Sequence, residues 1–397
     1  MLPLPAFLVA GVVEPAWDLY ERSQRLRELR RLQRSQWWPP ERLQELQRER
    51  LRAMLRHAAD TVPFHAERLA AAGIDPARVD GIDDLAALPL LTKADIRREG
   101  EALLSSRHPK RTLVAAKTGG STGVALQVYC DEPGVQRRRG AAMRGDIWSG
   151  WRLGQPVAAV WGNPPVPRTW KARLRRAVKD RMFFLDTMRL DRAAVERFAA
   201  DWRRFRPGLL YGHAHSVFLL AEHLRDLGID DLRPRGIVAT SMMLLQPERR
   251  VIEQVFGCAV TDRYGCEEVS LIGCECEQHH GMHLNSEHNI AEFLREDGTP
   301  CDPGEDGRIV VTELVNRGMP MLRYEVGDRG APADGSPCPC GRGLPLMQGL
   351  TGRTADFLVA LDGSRVAGIS LIENTLTRFP GIRQLQLVQD EPGRVVA

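Results

Sequence analysis

The chain has 397 residues, 43% of them hydrophobic and 27% charged, which is more chain than one compact core usually holds and is not the composition of a disordered or disulfide-dense protein. Its 55 basic side chains against 51 acidic ones leave a net charge of only +4, which gives a nucleic-acid partner no support. Only five of the basic residues are lysine, the last being Lys179.

In chain order, the apolar run Leu4 to Val13 is far short of the roughly 20 residues that span a bilayer. It has no basic segment before it and no small-residue cleavage site after it, so neither a membrane span nor a signal peptide is expected, and the expected compartment is the cytoplasm. Residues 16–59 read as two helices separated by Trp37, Trp38, Pro39 and Pro40. The second helix places Leu43, Leu46, Leu51, Met54, Leu55 and Ala58 on one face. Thr92 with Asp95 three residues later has the form of a capping box.

From about residue 110 short apolar runs alternate with helical segments. Thr112 to Ala116, Pro156 to Val160, Gly208 to Tyr211, Gly236 to Thr240 and Ala259 to Asp262 read as strands. Ala193 to Phe205, Ser216 to Leu227 and Pro247 to Phe256 read as helices, so an α/β core is expected. Residues 281–330 are rich in strands and turns, with Asp297-Gly298, Pro303-Gly304 and Asp306-Gly307 bounding runs such as Arg308 to Thr312, which predicts a β-rich subdomain. Eight cysteines are too few in so long a chain for a disulfide framework, and Cys338 and Cys340 are too close in sequence for an ordinary bridge.

Four polar turns stand out. Thr118-Gly119-Gly120-Ser121-Thr122-Gly123 joins two extended runs; its glycines let backbone N–H groups approach phosphate oxygens and its hydroxyls add donors, although it lacks the lysine ending of a Walker loop. Arg263-Tyr264-Gly265-Cys266-Glu267-Glu268 sets an aromatic that can cover a nucleobase near a carboxylate that can hold Mg²⁺. In Arg323-Tyr324-Glu325-Val326-Gly327-Asp328 the terminal carboxylate can accept from a ribose diol, and Gly352-Arg353-Thr354-Ala355-Asp356 offers an arginine for ribose or phosphate. Taken singly, each is better read as polar residues of a turn or a strand end.

In this order, together with Leu88-Pro89-Leu90-Leu91-Thr92-Lys93-Ala94-Asp95, the motifs resemble those of the adenylate-forming superfamily of acyl- and aryl-CoA ligases. The likeness is nearest to the phenylacetate–CoA ligase-like branch that includes capsule-biosynthesis homologues, and it covers nearly the whole chain. The resemblance implies a large N-terminal domain of α/β subdomains plus a β-rich subdomain, followed by a small C-terminal α+β domain. It also implies ATP with Mg²⁺, a small carboxylic acid substrate, and CoA or an acyl carrier protein as acceptor. By matching position, Thr118 to Gly123 would be the phosphate loop, with Thr118, Ser121 and Thr122 acting in catalysis beside Glu268 and Arg353. Ser241, Tyr264 and Gly265 would contact the nucleotide, with Tyr264 on adenine. Glu268 would hold Mg²⁺, Asp328 the ribose hydroxyls and Arg353 ribose or phosphate, and Asp356 would be the hinge. Tyr211, Gly212 and His213 are candidates for the acyl pocket.

Several positions depart from the family pattern: Glu267 stands where Thr or Ser is frequent, Ala355 replaces an aspartate, and Met242 lies where a small residue or Glu is common. The family's C-terminal domain also carries a lysine to the acyl phosphate, whereas only 41 residues follow Asp356 here and none is lysine. The expected organisation is a helical region over 1–105 packed on the core, an ATP-binding core over 106–351, and a hinge with an incomplete, truncated C-terminal domain over 352–397. Two other functions stay open: an adenylating enzyme that passes its acyl group to an amine or hydroxyl, and a catalytically weak nucleotide-binding module.

Cys338-Pro339-Cys340-Gly341-Arg342 has the form of a metal knuckle. Cys276 and His283, with Cys274 as the rival, can complete a tetrahedral structural Zn²⁺ site; the alternative is a set of buried reduced thiols. The basic cluster Lys171, Arg173, Arg175, Arg176, Lys179 and Arg181 reads either as a solvated helix or as a receiver of CoA phosphates or an acidic carrier protein.

Overall fold

A computed structural model of the chain describes all residues except 3, 118–125, 163, 165, 188–189, 354–356, 360, 362–364, 368–374, 376–378, 380–381, 383–385, 392–393 and 397. The strands are β1 (Val114–Lys117), β2 (Gln127–Cys130), β3 (Val157–Trp161), β4 (Met182–Asp186), β5 (Leu209–His213), β6 (Gly236–Thr240), β7 (Val260–Cys266), β8 (Ser270–Glu275), β9 (Met282–Leu284), β10 (Asn289–Leu294), β11 (Gly307–Glu313), β12 (Tyr324–Pro332) and β13 (Leu346–Arg353), with two short hairpins beyond them. Eleven of them form one sheet in the order β10-β11-β12-β13-β9-β8-β7-β6-β5-β3-β4. The run β4-β3-β5-β6-β7 is parallel and every pairing from β7-β8 onward is antiparallel.

Strand β6 is buried at all five positions, as expected of a central parallel strand covered on both faces. The helices Arg192–Phe205, Ala214–Asp226 and Gln246–Phe256 contribute Val195, Phe198, Trp202, Val217, Leu220, Leu224, Ile252 and Phe256 to the core over β3, β5 and β6. Asp191 caps the first of these by accepting from the N–H of Ala194 at 2.7 Å. These elements match the sequence reading to within two residues at each end, except that β5 and β7 run on through His213 and Cys266.

The expected β-rich segment is present and continues the parallel sheet: the β7–β8 hairpin carries the sheet on into it, and β13 joins through a two-residue pairing, Leu346 with His283 and Met347 with Met282. One expectation needs correction, and one helix was missed. The N-terminal region holds three helices where two were expected, Glu14–Tyr20, Arg25–Ser35 and Pro40–Thr61. The helix Glu132–Trp148 escaped detection because Pro133, Gly134, Gly140 and Gly145 interrupt its pattern. Those glycines are needed for contact. A Cβ on Gly140 would lie 3.1 Å from the Arg25 carbonyl, so the helix packs closely against Arg25–Ser35.

The segment around Leu88 to Asp95 clamps β12. The capping box forms as expected, with Asp95 N–H on the Thr92 hydroxyl at 3.2 Å and Thr92 N–H on the Asp95 carboxylate at 2.9 Å. Leu91 then pairs in parallel with Tyr324, donating to the Arg323 carbonyl at 2.8 Å and accepting from Glu325 N–H at 2.9 Å. Buried Arg323 completes the clamp. Its Nη1 donates to the carbonyls of Leu85, Ala86 and Leu88 at 3.0, 2.9 and 2.9 Å, and its Nε and Nη2 hold Glu292 at 3.2 and 2.9 Å. Arg323→Leu leaves a buried carboxylate and three carbonyls without their donor. It is expected to lower the unfolding free energy by about 3–5 kcal/mol in urea titrations; a loss below about 1 kcal/mol would show that the clamp does not order β12.

Candidate active site

Strand β7 carries Tyr264 into the middle of the sheet, and its bulge between Tyr264 and Gly265 turns the following residues toward β12. Gly265 is required there, because a Cβ would lie 2.4 Å from the Ser270 carbonyl. Two phenols then join the turn to β12. The Tyr264 hydroxyl donates to Asp328 Oδ2 at 3.0 Å, and the Tyr324 hydroxyl donates to Glu268 Oε1 at 2.7 Å. Burial pushes both phenols well up, with the neighbouring Asp328 and Glu268 charges adding to the effect, so both stay protonated and act as donors. Glu268 is buried and its carbonyl accepts from Arg138 Nη2 at 2.6 Å. Arg138 is itself fixed by a bidentate pair with buried Glu313 at 2.8 and 2.6 Å.

Three of the four polar turns therefore converge. Tyr264, Glu268 and Asp328 form one cluster, and Arg353 on β13 is the register partner of Asp328 on β12. Thr118, Gly119, Gly120, Ser121, Thr122, Gly123 and Asp356 lie outside the described residues. The base of the β1–β2 hairpin that brackets the first turn, Leu126 and Val128, shares a hydrophobic cluster with Tyr264 and Tyr324. Ser241 follows β6 at φ 65°, one residue after Thr240, whose hydroxyl donates to the Arg263 carbonyl at 2.9 Å. Sequence reasoning assigned no role to Tyr324, Arg138 or Glu313. Tyr324 stood inside a motif singled out for its aspartate, and Arg138 sits on the undetected helix.

At the carboxyl ends of β3 and β5, where ligands settle on open α/β sheets, a wall of rings forms. Trp161 stacks on Tyr211 with centroids 5.5 Å apart, and the His213 ring lies 3.8 Å from that of Trp161. Arg263 lies 4.8 Å over the Tyr211 ring and donates to Asp146 at 2.8 Å. Burial holds the His213 imidazole below its usual range, favouring the neutral ring. Gly212 lies between Tyr211 and His213 because a Cβ would meet the Val160 carbonyl at 2.7 Å. Trp161 was the missed member of this wall; the expected strand stopped at Val160. The opposite, amino ends of β5 and β6 open on a cavity of about 440 Å³ lined by Arg203, Arg206, Arg233 and Arg235.

A second cluster joins the end of β8, strand β9 and the loop before β13. The ligand atoms of Cys276, His283, Cys338 and Cys340 all lie within 4.8 Å of one another. Cys276 and Cys338 sulfurs are 3.7 Å apart, close to the roughly 3.8 Å edge of a tetrahedron with 2.3 Å metal–sulfur bonds. Cys340 Sγ is 3.3 Å from His283 Nε2, while His283 Nδ1 meets the Leu344 carbonyl at 3.3 Å, an arrangement that leaves Nε2 as the lone-pair nitrogen. Cys274 is not the rival it was expected to be. It faces away, with its thiol on the Glu275 carbonyl at 3.3 Å and its sulfur against Gly145, whereas Cys276 lies just past the end of β8 at Glu275, where the chain leaves the strand.

No protein-family model matches the chain. The phenylacetate-coenzyme A ligase of Thermus thermophilus is 26% identical over 327 residues, spanning 81% of this chain and 72% of that protein. The protein CapK of Staphylococcus aureus is 22% identical over 357 residues, spanning 89% and 77%. Among solved structures, 2-hydroxyisobutyryl-CoA ligase in the postadenylation state, in complex with R3-HIB-AMP, superposes with a TM-score of 0.75 over 90% of this chain and 78% of that chain at 19% identity. The chain is similar in sequence to phenylacetate-coenzyme A ligases and shares the fold of an adenylate-forming CoA ligase. Over the superposed length its fold is that of this ligase, and its Tyr264, Glu268 and Asp328 occupy one cluster within it. Tyr324→Phe removes one hydrogen bond to a buried carboxylate without changing the ring. A stability loss of about 1.5–3 kcal/mol is expected in chemical denaturation, and no measurable loss would mean that the bond does not hold Glu268.

Proposed function

We propose that the protein is an ATP-dependent, AMP-forming carboxylate–CoA ligase. The observation that carries this reading is the meeting of Tyr264, Glu268 and Asp328 in one cluster within an adenylate-forming fold. In the first step a substrate carboxylate oxygen attacks the α-phosphorus of ATP in line, the bond to the β,γ-pyrophosphate breaks, and an acyl adenylate forms. No proton need be removed from the carboxylate near neutral pH. In the second step the sulfur of CoA attacks the acyl carbon and AMP leaves, giving the thioester.

The role of each residue follows from its chemistry. Tyr264 presents a ring to adenine while its hydroxyl orients Asp328, which accepts from the ribose hydroxyls. Glu268, held by Tyr324 and by Arg138 through its carbonyl, keeps a hard carboxylate oxygen donor fixed for Mg²⁺. When bound, the ion neutralises charge on the phosphate oxygens. Thr118 to Gly123 supply amide and hydroxyl donors to the phosphates, Ser241 contacts the nucleotide and Arg353 contacts ribose or phosphate. Trp161, Tyr211 and His213 form the wall against which a small carboxylic acid packs, with Asp356 as the hinge to the small domain. Cys276, His283, Cys338 and Cys340 would hold a structural Zn²⁺, which would tie their segments together.

Incubating the protein with Mg²⁺, ATP, CoA and a panel of aryl and short aliphatic acids is expected to yield AMP, pyrophosphate and a thioester in equal amounts. Release of ADP and phosphate, or turnover only with amine or hydroxyl acceptors, would overturn the proposal. Glu268→Gln, an isosteric change, is expected to lower adenylation about 100-fold or more while leaving the melting curve nearly unchanged. For the second cluster, elemental analysis is expected to find one zinc per chain, and Cys338→Ser with Cys340→Ser to abolish it and lower the melting temperature. A full zinc content in that double variant would place the metal elsewhere.

A further inference from the structure

The first helical segment of the chain wears its apolar side chains on the outside. Residues Ala6–Leu8 and Glu14–Tyr20 are α-helical and a π-helical turn, Val9–Val13, joins them. Its two carboxylates point inward: Glu14 is 5% exposed and Asp18 6%. Buried Arg25 pairs with both, its Nε reaching Asp18 at 2.8 Å, and Lys179 lies 3.5 Å from Asp18. Phe7 is 79% exposed and Leu19 82%, with Val12 and Tyr20 exposed beside them. The π turn takes one residue more than an α turn, which rotates everything after it by about 100°. That rotation carries Glu14 and Asp18 away from the side of Phe7 and brings Leu19 toward it.

A second ridge extends this surface. Trp170 is 77% exposed, with Val166 and Leu174 also exposed, and Lys171 lies 4.5 Å over the Tyr20 ring, joining the two ridges. Large apolar side chains concentrated in this way are not single exposed residues of the ordinary kind. The charge around them has one sign. Arg22, Arg168, Lys171 and Arg173 are exposed, whereas Glu14, Asp18, Glu21 and Asp180 are each tied to Arg25, Arg175 or Lys179. The basic cluster is thus divided: Lys179 is buried in ion pairs and the outward residues form a cationic rim.

We propose that this face docks on a lipid bilayer surface rich in anionic headgroups. Phe7, Leu19, Tyr20 and Trp170 enter the interfacial layer, where aromatic rings settle, and Arg22, Arg168, Lys171 and Arg173 meet lipid phosphates. A second copy of this chain fits less well, because it would set one cationic rim against another. Side chains that protrude along two joined ridges suit a layer that deforms around them. This docking needs no membrane-spanning helix, and among the described residues no helix is long and apolar enough to be one.

The test is co-sedimentation of the full chain with phosphatidylcholine vesicles with and without about 30% phosphatidylglycerol, at low and high salt. Binding is expected only with the anionic lipid and weaker at high salt. The variant Phe7→Ser, Leu19→Ser, Trp170→Ser is expected to bind at least about 10-fold more weakly, and Lys171→Glu with Arg173→Glu at least about 30-fold, both with unchanged melting curves. Equal binding of wild type and both variants would overturn the proposal, as would no binding to anionic vesicles. A loss of self-association in the apolar variant, without any change in vesicle binding, would assign the face to a second copy instead.

Discussion

Two phenol–carboxylate hydrogen bonds, Tyr264 to Asp328 and Tyr324 to Glu268, are the constraint on which the rest of the site depends. They cross between β7 with its following turn and strand β12, which are separated by about 60 positions in sequence and by three intervening strands in the sheet order. Each bond sets a carboxylate, buried at Glu268 and half-buried at Asp328, beside a donor that cannot be lost near neutral pH, because burial and the carboxylate itself keep the phenol protonated. Two carboxylates held in this way are preorganised acceptors, which is what binding a polyphosphate nucleotide and its cation requires.

Support for those bonds comes from both sides. On one, Arg323 and the Leu91 bridge fasten β12 to the segment Leu85 to Leu91, so a segment with no chemistry of its own fixes the position of Tyr324. On the other, the Cys276, His283, Cys338 and Cys340 cluster ties β8, β9 and the loop before β13 together, and β8 is the hairpin partner of the strand carrying Tyr264. The same cluster reaches the N-terminal helices through Gly343, whose N–H donates to the Gln36 carbonyl at 3.0 Å. A Cβ on Gly343 would lie 1.9 Å from the Trp38 carbonyl. The Trp37 to Pro40 break between helices is therefore also the docking surface for the cysteine loop.

Much of this was legible in the sequence where chemistry and local pattern coincide. The parallel strands and their helices follow from runs of buried apolar residues, and the capping box at Thr92 from its spacing. Three polar motifs and four metal-type ligands could be named as sets because each set uses residue types with few other reasons to recur together. What stayed hidden depends on long-range packing. Arg138 sits on a helix whose glycines mask its period, and those glycines make sense only against distant neighbours, Gly140 against Arg25 and Glu28 and Gly145 against Cys274. Cys274 and Cys276 are alike in sequence, and only the end of β8 at Glu275 separates them, leaving one against Gly145 and the other in the cluster. The inward turn of Glu14 and Asp18 depends on a π turn that composition does not announce.

The central claim is that the nucleotide lies over β7 and β12 at the carboxyl ends of the parallel strands, and not in the arginine-lined cavity at their amino ends. Photolabelling with 8-azido-ATP, followed by peptide mapping with and without excess ATP, tests this most directly. The account predicts ATP-protected label on the peptides containing Tyr264 and Asp328. Protected label confined to the peptides containing Arg203, Arg206, Arg233 and Arg235 would contradict it.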